Sequence, residues 1–299
     1  PPSDLCLEYS LVQDGEELLS GSLRGEAVDI APHGRRTIKL ALPELSGDLA
    51  YILFTWRGER APVEGLELGF DQVVLRDQVR SIPRRGPVAP MEAEESERAL
   101  SAGTRGVRSL VWSRETGMPL AMGTLLSAPM SFNIWRAPTD NDRYIRQDWE
   151  RAGYDRVIQR AKAFGWRRDG STLELRTHVS LCAVSLSNIM EIDCLWRADD
   201  SGRVSLSVEA ERNTALPYLP RFGLRLFVPR FWSRAAYQGY GPMESYADKH
   251  QASRLGRFSA PVWELHEDYL RPQENGSHWD CSYLAVSDPE GGCLEAAGE

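Results

Sequence analysis

The sequence predicts an all-β protein of two sandwich domains, and three observations carry that reading. Short apolar runs recur along the chain and alternate with polar residues, as strands with one buried and one wet face require. Gly, Pro, Asn and Asp punctuate those runs where turns are needed. At 299 residues the chain is long enough for two domains, each able to bury a core.

Residues 1–80 read as an immunoglobulin-like sandwich. Leu5, Leu7, Tyr9 and Leu11 alternate on a first strand, and Asp14–Gly15 supplies a turn pair that tolerates positive φ. Pro32 and Gly34 mark another turn before an expected strand over Thr37–Leu42. Leu49–Trp56 is apolar on both faces and therefore needs a second layer over it. Residues 81–98 change character, with Pro83, Pro87 and Pro90 ahead of an acidic run from Glu92 to Glu97, the composition of a linker.

The second domain is expected over 99–299 as a large sandwich, with strands over Arg108–Ser113, Thr172–Leu186, Ile189–Arg197 and Arg203–Glu211. In the last of these Val204, Leu206 and Val208 face one way and Arg203, Ser205, Ser207 and Glu209 the other, with Asp199–Gly202 closing the hairpin before it. One helix is expected at Asp148–Ala163, where Trp149, Ala152, Val157 and Ala161 share a stripe, although Gly153 weakens it by about 1 kcal/mol relative to Ala. Asp288–Gly292 reads as a hairpin turn with a strand starting at its far side, which leaves the second sandwich incomplete at its C-terminus.

Composition excludes several classes of function. Forty-three acidic against 35 basic residues give a net charge of −8, and the largest basic cluster is Arg84–Arg85, so nucleic acid is not an expected partner. No apolar run approaches the roughly 20 residues that span a bilayer, and no membrane contact is expected. Five Cys form no CxxC pair and are odd in number, which argues against a disulfide framework or a zinc site and for reduced, buried thiols in the cytoplasm. His33, His178, His250, His266 and His278 lack metal-ligand spacing, and no phosphate loop, HExxH helix or G-x-S-x-G elbow occurs.

Three polar segments stand out. In WRAPTDND at 135–142, Pro138 fixes φ and biases Ala137 toward extended geometry, holding Arg136, Asp140, Asn141 and Asp142 on a rigid loop. These side chains either bind sugar hydroxyls or pair with each other and cap local backbone. YQGYGPMESYADK at 237–249 offers the Glu244 carboxylate and the Tyr246 phenol after a Gly–Tyr–Gly–Pro turn, either a sugar-binding mixture or a sheet corner. YLRPQENGSHWD at 269–280 brings Glu274, Asn275 and His278 close together, either around a pyranose or as a tight turn with a polar rim.

In this order, and with LPRFGLRL at 219–226, the segments resemble the C-terminal part of the large β-galactosidases of glycoside hydrolase family 2, from about residue 5 onward. The resemblance implies an immunoglobulin-like domain ending near ELGFDQVVL and a last domain similar to the galactose-mutarotase supersandwich, whose further strands lie beyond GGCLEAAGE. It implies that the retaining Glu pair lies in a TIM barrel elsewhere in the polypeptide. The chain is then a non-catalytic support that lends Arg136, Asp140, Asn141, Asp142, Glu244, Tyr246, Glu274, Asn275 and His278 to the rim of a β-galactoside site. No cofactor is implied in this chain, the Mg and Na of the family belonging to the catalytic domain. The implied partners are that barrel and further copies in a homo-oligomer. Two alternatives stay open. One is a mutarotase-like epimerase with His278 or His250 as acid and Glu244 or Glu274 as base; the other is a carbohydrate-binding module using Trp279, Trp263 or Tyr240.

Overall fold

The structure, a computed structural model, describes residues 4–31, 33–60, 62–83, 91–104 and 107–298 and is almost entirely antiparallel sheet. The expected turn residue Pro32 and the linker residues Pro87 and Pro90 lie outside the described residues. The chain groups into two compact units: Pro1–Ile82 with Ser233–Glu267 and Asn275–Glu299, and Pro83–Trp232 with Asp268–Glu274.

In the first unit, β1 (Leu5–Gln13), β2 (Glu16–Leu23), β3 (Leu49–Gly58) and β4 (Glu67–Asp77) form a sheet ordered β2-β1-β3-β4. Asp14 and Gly15, both at positive φ, make the β1–β2 turn as expected. Asp14 does a second job: its Oδ1 accepts from the backbone N–H of Asp48 at 3.1 Å and of Leu49 at 3.0 Å, fixing the start of β3. Leu49, Ala50, Tyr51 and Ile52 are all buried, so β3 is covered on both faces. The strand expected over Thr37–Leu42 does not form. Residues 34–46 are irregular with Ile38 and Leu42 exposed, because alternation without a ladder partner leaves the backbone to water.

The second unit begins with a meander of β5 (Glu92–Glu95), β6 (Ala99–Thr104), β7 (Val107–Ser113) and β8 (Pro119–Met122). The acidic run expected in the linker is thus the edge strand β5, paired with β6. Charges suit an edge strand, where one side of the backbone faces solvent. After β9 (Ala128–Asn133) comes the helix α1, which spans only Arg146–Arg151 and not Asp148–Ala163. Gly153 at φ 79° ends it in the left-handed region, and Ile158–Asp169 is instead strand β10. β10, β11 (Thr172–Cys182), β12 (Met190–Asp199) and β13 (Val204–Arg212) form a sheet in chain order, with the Asp199–Gly202 turn where expected. Its inner face buries Leu175, Val179, Leu181, Ile192 and Trp196 against Trp112 and Trp149. Its outer face is crossed by Glu174, which accepts from Arg167 and Arg197, each at 2.8 Å. β14 (Gly223–Phe227) pairs with β9 in a two-stranded sheet and leaves Leu224, Leu226 and Phe227 exposed.

The remaining strands, β15 (Arg234–Gly241), β16 (Arg254–Pro261), β17 (Tyr283–Ser287) and β18 (Cys293–Ala297), form a sheet ordered β16-β15-β17-β18 within the first unit. Asp288–Gly292 turns β17 into β18 as expected. Leu255 of β16 packs against Leu49 and Tyr51 of β3. Polar bonds fix this layer's position. The Gln72 side chain of β4 donates to Leu255 O at 2.7 Å and accepts from its N–H at 2.9 Å, imitating a peptide group. Gln238, fully buried, donates to Gln78 O at 3.1 Å and accepts from Arg257, whose guanidinium lies 2.9 Å from Asp14. A buried amide left unpaired is costly, so such bonds admit one placement of the two sheets.

Cys6 and Cys194 are buried thiols as expected, whereas Cys182 is half-buried and Cys281 and Cys293 lie on exposed residues, the Cys281 sulfur itself packed against Gly239. No helix among the described residues is long and apolar enough to cross a membrane.

Candidate functional site

The expected site residues fall into two groups, one in each unit. In the second unit, Ile134 is buried and anchors the chain as it leaves β9, and Trp135 packs edge-on to the buried Trp149 with ring centres 6.3 Å apart. Trp149 is held by its indole N–H donating to Tyr218 O at 2.9 Å. Arg136 lies over the Trp149 ring at 6.0 Å and donates to Asp142 Oδ1 at 2.8 Å. The other Asp142 oxygen accepts from the Thr139 N–H at 2.8 Å and the Thr139 hydroxyl at 3.1 Å, closing a capping box over the short 3-10 turn Asp140–Asp142. Asp142 is therefore a buried fastener of its own loop. Asp140 and Asn141, on the same turn, are exposed.

Segment 268–274 packs on the same loop. The Glu274 N–H donates to Ala137 O at 3.2 Å, its carboxylate pairs with Arg221, and Arg271 lies 3.8 Å from Asp140. Arg221 was not singled out individually by sequence reasoning. It stands 53 residues from Glu274, and only its place inside LPRFGLRL marked it. Beside it, Asn133, Phe222, Leu224, Arg225 and Leu226 line a groove of about 410 Å³ along β14.

In the first unit, Glu244 is nearly buried. It takes the Gly276 N–H at 2.7 Å and the Lys249 ammonium at 3.2 Å, tying the turn after β15 to the segment before β17. Tyr246 and Lys249 exchange backbone bonds of 2.9 and 3.0 Å, and Lys249 lies over the Tyr246 ring. Asn275 donates to Glu267 O at 2.5 Å and accepts from its N–H at 3.0 Å, clasping the neck of the 268–274 loop. Ser245, fully buried, accepts from the Trp279 N–H at 2.9 Å and donates to Tyr240 O at 3.0 Å.

Rings fill the space around these bonds. Trp279 stacks on His250 at 4.2 Å and against Tyr240 at 4.7 Å, and His278 stacks on Tyr237 at 4.1 Å. Burial pushes the Tyr237 phenol up and the Cys281 thiol up to about 11, while it pushes the His278 imidazole down. Gly239 must lack a side chain because a Cβ there would run into the Cys281 sulfur.

The expected acid–base pairings are not formed by this arrangement. His278 faces the Tyr240 carbonyl, and His250 faces the Tyr246 carbonyl at 3.0 Å. Glu244 and Glu274 are each held by a cation. Tyr240 and Trp279 turn their faces to neighbouring rings, while Trp263 is exposed. Among the described residues no group of three or more His, Cys, Asp and Glu converges as a metal ion would require.

Residues 108–297 match the family described as Beta galactosidase small chain. A β-galactosidase of Actinobacillus pleuropneumoniae is 33% identical over 290 residues, which cover 94% of this chain and 28% of that protein. A β-galactosidase of Staphylococcus xylosus is 28% identical over 230 residues, covering 75% of this chain and 23% of that protein. The β-galactosidase BgaC of Bifidobacterium adolescentis is 31% identical over 244 residues, covering 76% and 22%. The chain thus spans about a quarter of the length of these curated relatives.

Proposed function

Because the chain belongs to the Beta galactosidase small chain family, we propose that it is a non-catalytic part of a β-galactosidase acting on terminal β-galactosides. In this reading it supports a catalytic TIM barrel of the same polypeptide and lends loop residues to the rim of the sugar site. The observation that carries it is the state of the carboxylates. A retaining glycosidase needs two of them facing the substrate about 5–5.5 Å apart. Here Asp142, Glu244 and Glu274 are each bound to a cation or to backbone N–H groups of their own unit. Asp140 and Asn141 are exposed on the loop that Asp142 fastens, Asp140 with Arg271 3.8 Å away, and in this reading they reach a sugar hydroxyl.

A succession of domains over 1–80, 81–98 and 99–299 belongs to the same proposal, and the family match over 108–297 lies within the last of these. The immunoglobulin-like and mutarotase-like identities of the two domains belong to the same proposal. So do a homo-oligomer, a cytoplasmic setting and metal ions held by the catalytic domain. Hydrolysis of an aryl β-galactoside tests the reading. The chain alone is expected to show no turnover, and in the complete enzyme Asp140→Ala with Asn141→Ala is expected to raise KM several-fold with kcat little changed. Reproducible turnover that copurifies with the chain alone would sink it.

A further inference from the structure

His278 lies in a segment sewn along the end of β15. Ser277 O accepts from the Ser245 N–H at 2.8 Å, Trp279 O from the Tyr240 N–H at 2.9 Å, and Gln238 O from the Ser282 N–H at 3.0 Å. Residues 277–282 therefore extend the β15–β17 pairing and carry Trp279 into its ring stack. The His278 ring lies against Tyr237, with centres 4.1 Å apart and planes at 28°. Its Nδ1 is 3.3 Å from Tyr240 O, and since a carbonyl only accepts, Nδ1 carries the proton. Its Nε2 is buried and meets no hydrogen-bond partner among the described residues.

That geometry suits the neutral ring and no other form. A bare lone pair among rings is tolerated, whereas a second proton would create a buried cation whose new N–H has no acceptor. The titratable groups around it are few. β15 presents the phenols of Tyr240 and Tyr237, the latter donating to Pro242 O at 3.3 Å and packing on Phe258 of β16, which does not titrate. The turn after β15 presents Glu244, already bound to Lys249 and the Gly276 N–H. Its own segment adds Asp280 and the Cys281 thiol, which donates to His278 O at 3.4 Å. His250 stacks on Trp279 and packs edge-on to Tyr240. Burial outweighs the Tyr240 carbonyl and the Glu244 carboxylate, both of which favour the charged ring.

We propose that His278 is an acid-sensitive latch: taking up a proton releases residues 277–282 from β15, and with them the turn that Glu244 holds. The direction follows from linkage. A histidine kept neutral by the fold takes its proton first in the unfolded chain, so the latch is intact above about pH 6.5 and loses its hold as the pH falls below it.

Trp fluorescence and near-UV circular dichroism from about pH 8 to about pH 5 test this on the chain, on His278→Phe, which keeps a ring on Tyr237, on His278→Gln and on His250→Phe. The expected result is a transition below about pH 6.5 in the wild type and in His250→Phe that is lost in either His278 variant. A transition that persists at the same midpoint in the His278 variants, or no transition in the wild type, overturns the proposal. Should neither variant fold, the ring-proton NMR titration of His278 in the wild type decides it. A midpoint below 6.5 supports the latch, and one at or above 6.5 removes it.

Discussion

Asp142 commits both carboxylate oxygens inside its own loop, one to Arg136 and the other to Thr139. Replacing it by Ala would leave the Arg136 guanidinium over Trp149 without its counter-charge and the 3-10 turn without its cap. Asp142→Ala is therefore expected to cost about 2–3 kcal/mol, read as a lowered urea midpoint, with Asp142→Asn in between. A midpoint unchanged within error would mean that the loop is held by other contacts. Sequence showed the residue types of this loop and left their roles open. The Arg–Asp pair six residues apart was readable as a local bond, whereas the inward turn of Asp142 and the outward turn of Asp140 depend on the 3-10 geometry between them. The partner of Glu274 was hidden for a different reason. Arg221 is far away in the chain, and nothing in a linear pattern ties an acid to one arginine among many.

Strands were legible where alternation met a partner and illegible where it did not. β11, β12 and β13 lie within a few residues of their expected spans because buried and wet faces alternate along them and Asp199–Gly202 sets their hairpin. Thr37–Leu42 alternates as well but has no ladder to join, and the helix expected from a stripe of Trp149, Ala152, Val157 and Ala161 stops at Gly153 before its third turn. The outer face of β10–β12 carries its own pH response. Hydrogen bonds from Arg197 and then Arg167 hold the Glu174 carboxyl below its ordinary range of about 4.5. A carboxylate favoured by the fold contributes stability above its unfolded value and loses it as the pH falls. Glu174→Gln is thus expected to flatten the acid limb of stability below about pH 4.5, measured by urea unfolding at a series of pH values. An acid limb of the same steepness in the variant would assign that loss to other groups.

At the scale of the whole molecule, runs of apolar side chains stand in water on β4 and its approach, through Leu66, Leu68, Val73 and Leu75, and on β14, through Leu224, Leu226 and Phe227. Edge strands of this composition pair with other chains. Light scattering on the isolated chain is expected to rise with concentration and to fall when Val73→Lys and Leu226→Lys are combined; a monodisperse monomer across the range would show that these edges are harmless. The first unit also has a history written into its order of elements. β1–β4 leave the ribosome about 150 residues ahead of β15 and β16, whose Leu255 completes the packing on Leu49 and Tyr51. At roughly 5–20 residues per second the early sheet waits about 8 to 30 seconds for its cover. The nascent chain therefore passes through a stage in which the apolar run of β3 is translated but unroofed, and in the cell that interval is work for a chaperone.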